Sequence, residues 1–600
     1  MSEPIIPIAS QPWRLGLTML VFAALFGVVG WRLRFLQVEE ADRLVELGER
    51  QSERTLTVQA PRGNLYDSDG IPLAVSDGTW MVTADPLYMD DKLRATIELS
   101  RILGISRDEM RKQFEIPRNG RTIAKGVDDD HAELIKKLKL AGVYVRREFT
   151  RRYPEGAVAA QLLGFVAASG IGGGGLEYQF DKQLSGVAGK ESITIDALGK
   201  PSLTDEVSVP SQPGAHLQLT INLAIQRELE KDLLEQVEKS QPASAAGVII
   251  RPTTGEIVAM ASWPTFDPRD LATVRSASLR NNVTSFVYEP GSTMKPLVAG
   301  ATIAEGLAHW SETIDCERGV WTYHVGHAAR TIHESTGGHG VLSIVQGIAL
   351  SDNILMAKLG IRMGPTRLFN WETRFGFGRR TGITLPGEDG GIMLPESRWS
   401  VLGSCMSVPM GHEIAVTPLQ LAMAHAAIAN AGQWLPPRVV KRVFTTDEQG
   451  NEHELELAKL PEPRSVFTPD DASQIQEAMT HTMTEGTGKK ADLAGYSCAG
   501  KTGTAEKLVG GHYSHSNHVG SFVCWAPAEP GVRPELLCLV VIDDPSKGGH
   551  YGAEIAAPVV QKVLQAALEA LHVPKRPDLM GTVATSHDAK DAKDGKKGMR

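Results

Sequence analysis

The stretch YEPGSTMKPL, Tyr288 to Leu297, is short and polar, opens like a helix, and carries a proline directly after its lysine. Proline has no amide hydrogen and its ring clashes with the preceding turn, so a helix accepts it only in the first turn, where amide hydrogens have no partner within the helix. The spacing therefore predicts a helix that begins near Gly291 or Ser292, with Lys295 one turn beyond Ser292 on the same face. Free backbone amides and the positive end of the macrodipole at such a start favour a developing negative charge. A hydroxyl, an amine within reach and an oxyanion-friendly backbone are the parts of a nucleophile with its base. Alone, S-x-x-K recurs by chance in any long chain, and an exposed helix start carries the same letters.

Two further motifs change the odds. SDN, Ser351 to Asn353, ends the apolar run VLSIVQGIAL, and KTGT, Lys501 to Thr504, opens a predicted strand. In this order, on helix start, loop and strand, the trio points to serine acyl transfer. Ser292 must lose a proton to attack a carbonyl, and Lys295 accepts it only if its amine is held neutral by burial and a neighbouring cation such as Lys501. Ser351 is placed to relay a proton to the leaving nitrogen, and the Asn353 amide to hold the acyl donor's backbone. An edge strand bearing Lys501 offers backbone hydrogen bonds to an extended peptide. Thr502 and Thr504 beside that charge suit a terminal carboxylate, and Gly503, lacking a side chain, lets substrate approach. The amides of Ser292 and Thr504 form the expected oxyanion hole.

Composition sets the frame. The chain has 600 residues, 42% of them hydrophobic, with a net charge of −9 that gives no reason to expect nucleic acid. Leu15 to Trp31 is uncharged and long enough, at roughly 26 Å, to cross a bilayer core. Trp13 and Trp31 suit the interfaces, and no small-residue cleavage site follows, so an uncleaved anchor over 15–36 is expected after a head of residues 1–14. Arg14 before the span and Arg32 with Arg34 after it leave the orientation open. Five cysteines, Cys316, Cys405, Cys498, Cys524 and Cys538, imply no disulfide framework; the last three read as small buried hydrophobes on neighbouring strands. Histidines gather at His324, His327, His333 and His339 and at His512, His515 and His518, at spacings of no established ligand set, so no metal and no cofactor is expected.

Along the chain, EEADRLVELGERQSERTLTVQA reads as a charged helix running into a strand, and NLYDSDGIPLAVS as a hairpin turning at Asp69-Gly70. IGGGGLE, Ile171 to Glu177, reads as a flexible loop tip, and the Pro-, Ser- and charge-rich run 202–214 as a boundary. Beyond it come a strand and an amphipathic helix with Leu229, Leu233 and Val237 on one face, then a hairpin around Pro252 to Gly255. AGKTGTAEK, SFVCWAPA and ELLCLVVIDD read as three more antiparallel strands, and AAPVVQKVLQAALEAL as a closing helix. Strands at both ends of a domain with helices between them predict an α+β fold, one antiparallel sheet covered by helices.

With these motifs in place the chain resembles the class B penicillin-binding proteins, membrane-anchored peptidoglycan transpeptidases, over nearly everything from residue 10 to 570. APRGNLYDSDGIPLA, RRYPEGAVAAQLLGFV and GGGLEYQFDKQLSGVAGK resemble the family's pedestal, and EPGSTMKP, PMGHEIAVTPLQLAMAHAAIANAG and GKTGTAEK its transpeptidase domain. The resemblance implies a five-stranded sheet of the serine β-lactamase-like fold, an elongated, mainly β, non-catalytic pedestal over 37–214 and a transpeptidase domain over 215–572; the tail over 573–600, an Asp-Lys mixture with almost nothing to bury, reads as disordered. It implies a cytoplasmic head with the catalytic domain outside the inner membrane, D-alanyl-D-alanine stem peptides as acyl donor, β-lactams as covalent inhibitors, and a membrane glycosyltransferase and divisome proteins as partners. FGFGRRTGITLPGE resembles the division-type branch more than the elongation-type one. Asp352 in place of serine, His333-Glu334 in place of an aspartate, and Ala553 in place of glycine depart from the family pattern. A β-lactamase would need a water-activating E-x-x-L-N element, which does not follow Asn353, and a silent sensor or scaffold would not need the whole trio.

Overall fold

The computed structural model describes residues 12–44, 53–116, 120–195, 201–334 and 337–580. Most of the head, the middle of the charged segment after the anchor, and residues 581–600 of the expected tail lie outside them.

Five strands form the sheet of the larger unit: β1 Ser244–Arg251, β2 Glu256–Trp263, β3 Ala499–Val509, β4 His512–Ala526 and β5 Leu536–Asp543. They pair in the order β2-β1-β5-β4-β3, every pair antiparallel, so β3 with its KTGT is an edge strand. Strand β5 is buried along its whole length. Its side chains alternate, Leu537, Leu539 and Val541 into one core and Leu536, Cys538, Val540 and Ile542 into the other, as a two-residue period demands of a strand covered on both sides.

Helices α1 Leu223–Ser240, α2 Lys295–Ala304, α3 Ile344–Leu350, α4 Asn353–Phe375, α5 Pro418–Ala429, α6 Pro469–Thr484 and α7 Ala557–Ala570 supply the covering layers. One core joins Leu229, Leu233 and Val237 of α1 and Val563 and Leu564 of α7 to the sheet. The other takes Leu297 and Val298 of α2, Met356 and Leu359 of α4, and Leu421 of α5. Cys524 and Cys538 are register partners, and all five cysteines are buried free thiols, as small apolar side chains would be.

The larger unit also includes residues 62–77 and 151–186. There, Glu177, fully buried, takes Arg62 at 2.6 Å and Arg151 at 2.6 Å, and Asp181 takes Arg62 at 2.7 Å. Three stretches that the sequence set in a pedestal are thus joined by buried ion pairs, a contact set by charges far apart in the chain. The glycines of IGGGGLE are not a flexible tip. A methyl group at Gly175 would meet the backbone of Leu163 at 2.7 Å, and Gly175 opens a short helix, Gly175–Gln179. Their lack of a side chain serves close packing rather than motion. Val573 packs on the core of the larger unit, its carbonyl accepts from the Tyr496 hydroxyl at 3.0 Å, and Arg576 pairs with Glu529 at 3.1 Å, so the chain is held past residue 572.

The smaller unit comprises residues 1–61, 78–150 and 187–212. It holds an antiparallel sheet of Glu53–Val58, Gly189–Ile195 and Pro201–Val209. A third core packs Val82, Leu99, Met110, Phe114 and Ile135, with helices Lys92–Leu103, Arg107–Glu115 and Asp129–Lys137 each capped by the side chain before it, Asp91, Ser106 and Asp128. The N-terminal helix, Pro12–Arg34, is long and apolar enough to cross a membrane.

Candidate active site

Ser292 sits on a 3₁₀ turn, Gly291–Met294, and the α-helix proper begins at Lys295, with Pro296 in its first turn. The sequence placed the start correctly but expected α geometry. With three residues per turn the 3₁₀ segment eclipses positions i and i+3, bringing Ser292 and Lys295 into line more closely than an α turn would.

Two glycines let the turn reach the sheet. A methyl at Gly291 would meet the Thr504 carbonyl at 2.7 Å, and one at Gly503 would meet the Pro290 carbonyl at 2.8 Å and Thr293 Cγ2 at 3.0 Å. Gly503 was expected to leave room for substrate; the space beside its Cα is filled by Ser521 Oγ of β4, nearest of all, and by the turn bearing Ser292. Gly291 N also donates to the carbonyl of Gly411 at 3.2 Å, so the loop PMGHE braces the turn from the other side. Below it, Glu289 holds His412 at 2.8 Å and the Tyr513 hydroxyl at 3.0 Å.

Lys295 and Lys501 are both fully buried, at 0% exposure. Lys295 Nζ donates to the Asn353 side-chain oxygen at 2.7 Å, to Ser351 Oγ at 3.2 Å and to the Ser351 carbonyl. Lys501 Nζ donates to the same Ser351 Oγ at 3.1 Å and to the Thr502 carbonyl at 3.1 Å. One hydroxyl thus bridges two amines, and burying both leaves no room for two full charges. Burial pulls Lys295 down to about 8, against the opposing charges of Glu334 and Asp352. Burial, and then the charge of Lys295, push Lys501 well below the usual lysine range. Ser351 adopts a left-handed conformation, φ 65°, which turns the chain between α3 and α4 and aims its hydroxyl at the lysines. Thr502 Oγ1 bonds Thr487 at 2.8 Å, and Thr504 Oγ1 accepts from Gly552 N at 3.1 Å.

The structure thus gathers Lys295, Ser351, Asn353 and Lys501, and seats the turn bearing Ser292 against Gly503 and Thr504. The departures from the family pattern acquire structural work. Asp352 caps α4 through Leu355 N at 2.8 Å and meets His339 at 3.0 Å. Glu334 Oε1 accepts from Asn353 N at 2.7 Å and Ile354 N at 2.8 Å. Sequence reasoning missed these roles, though an aspartate directly before a helix was a legible cap signal for Asp352. It also missed His425, whose Nε2 donates to the Thr293 carbonyl at 3.0 Å and which burial holds neutral, down to about 4. Among the described residues no group of three His, Cys, Asp or Glu side chains is arranged to hold a metal.

The model of the penicillin binding protein transpeptidase domain matches residues 245–565, and that of the penicillin-binding protein dimerisation domain matches residues 57–219. The chain belongs to the class B penicillin-binding proteins. This penicillin-binding protein is 31% identical to stage V sporulation protein D of Bacillus subtilis, over 93% of its own length and 86% of that relative. It is 30% identical to the peptidoglycan D,D-transpeptidase FtsI of Escherichia coli K12, over 94% and 92%. Its fold matches penicillin binding protein 3 of Mycobacterium tuberculosis, solved with aztreonam, at a TM-score of 0.67 and 24% identity over 87% and 99%. The fold expected from the resemblance, a helix-covered antiparallel sheet after a non-catalytic domain, is the fold observed, and the enzyme is a serine-type D,D-transpeptidase of this family.

Proposed function

We propose that this protein cross-links peptidoglycan stem peptides through an acyl-enzyme at Ser292. The observation that carries the reading is the Ser351 hydroxyl shared by two buried lysines, 3.2 Å from Lys295 and 3.1 Å from Lys501. Lys295, neutral in a substantial fraction near pH 8, takes the Ser292 proton as the oxygen attacks the penultimate D-alanyl carbonyl. The amides of Ser292 and Thr504 receive the oxyanion, and Ser351 passes a proton to the departing D-alanine nitrogen as the C–N bond breaks. Asn353 and the edge strand with Thr502 and Gly503 hold the donor peptide. The amine of a second stem then attacks the ester, restoring the serine hydroxyl and forming the cross-link.

The same chemistry opens a β-lactam ring, and the product ester persists for want of a water-activating E-x-x-L-N element after Asn353. The helix Pro12–Arg34 serves as a single-pass anchor in the inner membrane with the catalytic domain outside. Similarity to FtsI supports septal work with a glycosyltransferase and divisome partners, in preference to elongation.

Incubation with benzylpenicillin followed by peptide mass spectrometry tests the chemistry. One adduct on the Ser292 peptide, stable for many minutes and absent from Ser292→Ala at unchanged melting temperature, is the expected result. Release within seconds would mark a hydrolase, and no adduct would end the acyl-transfer reading.

A further inference from the structure

Glu334 lies outside the three motifs, at the end of the strand Ala328–His333, yet it grips the second motif directly. One carboxylate oxygen accepts both Asn353 N, at 2.7 Å, and Ile354 N, at 2.8 Å, the first free amides of α4. Its own amide donates to the Gly319 carbonyl at 3.0 Å, which fixes it in place. The other polar end of the same asparagine faces the base, since Asn353 Oδ1 takes Lys295 Nζ at 2.7 Å. Asn353 is therefore held between a carboxylate on its backbone and an ammonium on its side chain.

From this geometry we propose that Glu334 is a positioning residue for Lys295: it fixes Asn353, and with it the lysine amine, and when ionised it favours the charged form of that amine. The inference rests on the acyl-transfer reading of Ser292 and Lys295. Asp352 acts on Lys295 with the same sign as Glu334, but it is tied to His339 and to its own helix cap. Lys501, fully buried on β3, is lowered by burial and then by the charge of Lys295. On the far side the buried thiol of Cys316 responds to Asp352, Glu334 and Lys358, and Lys358 is paired with Glu317 at 2.7 Å. Of the two carboxylates that act on Lys295, Glu334 is the one that also holds the backbone amide of Asn353.

Glu334→Gln keeps an acceptor for both amides and deletes the charge; Glu334→Asp keeps the charge on a shorter arm. The full-length protein in detergent is acylated with a fluorescent penicillin from pH 5.5 to 10, and kinact/KI is fitted against pH, which reports the free enzyme's base. The unsubstituted protein's rate rises with pH through a midpoint near the Lys295 value of about 8. Removing a nearby anion makes the ammonium easier to deprotonate, so the Gln variant's midpoint falls by about one pH unit. The Asp variant keeps the midpoint within about 0.3 units and loses rate instead, as a positioning fault would. A Gln midpoint that does not move, with a normal Ser292 adduct and an unchanged melting temperature, overturns this inference alone. An unsubstituted protein without a Ser292 adduct overturns the acyl-transfer reading and this inference with it.

Discussion

His425 shows how burial, helped by the charge of Lys501, makes a group pH-sensitive. Its folded-state value, about 4, lies below the ordinary 6.5, so the unfolded chain binds the proton more readily. Stability is therefore complete above about pH 6.5 and falls as pH drops toward 4. At pH 5 the loss is about 2 kcal/mol. Denaturant unfolding of the protein and of His425→Gln between pH 7.5 and 4.5 checks this, since glutamine keeps a donor for the Thr293 carbonyl but does not titrate. A parallel slope in both would show that other groups carry the acid sensitivity. Ser292, Lys295, Ser351, Asn353 and Lys501 could be proposed from the sequence because acyl transfer needs fixed residue types at short spacings within each motif. Glu334 and His425 were not, because a carboxylate 19 residues before Asn353, or a histidine within an apolar helix, signals nothing until the chain closes.

The elements that matter most to the site are the 3₁₀ turn and the edge strand β3, and the seam between them is built from glycines. Gly503 has no room for a methyl group, which would lie 2.8 Å from the Pro290 carbonyl and 3.0 Å from Thr293 Cγ2. Gly503→Ala is expected to push the Ser292 turn off the strand, costing about 1–3 kcal/mol of stability. It should also lower penicillin acylation by about 10²-fold through misplacement of the nucleophile. Gel-based fluorescent-penicillin labelling beside thermal melts checks both; full-rate acylation would show that the seam tolerates the shift. A helix start at this point could be read from Pro296, and the strands of the sheet from their β-rich runs and the turn at Gly255. The exchange of an α turn for a 3₁₀ turn could not, because it depends on how closely Gly503 and Gly411 let the turn approach. IGGGGLE was misread for a related reason: glycine's missing side chain permits either freedom or tight contact, and only the neighbours select one.

For the molecule as a whole, the proposed topology has a direct test in its cysteines. All five native thiols are buried, so a single added cysteine reports location against a low background. Lys547 is exposed on the larger unit. Lys547→Cys should be labelled by a membrane-impermeant maleimide on spheroplasts, whereas Ser2→Cys should react only after lysis. The reverse pattern would invert the proposed orientation. Division of the chain into domains was only partly readable. Contiguous sequence suggested one pedestal from 37 to 214, whereas residues 62–77 and 151–186, joined to each other by the Arg62, Arg151 and Glu177 ion pairs, belong to the larger unit, where Leu65, Leu162 and Leu163 share a core with Ala246 and Val248.

Local rules were enough for the catalytic trio, the membrane-length helix and the antiparallel strands, since each depends on spacing, hydropathy or backbone chemistry within a few residues. The lowered lysines, the Glu334 grip on Asn353 and the glycine seam under Ser292 arose from folding alone. Charge interaction and burial depend on distance in space, and distances between residues 295, 334, 353 and 501 are set only once the sheet has brought them together.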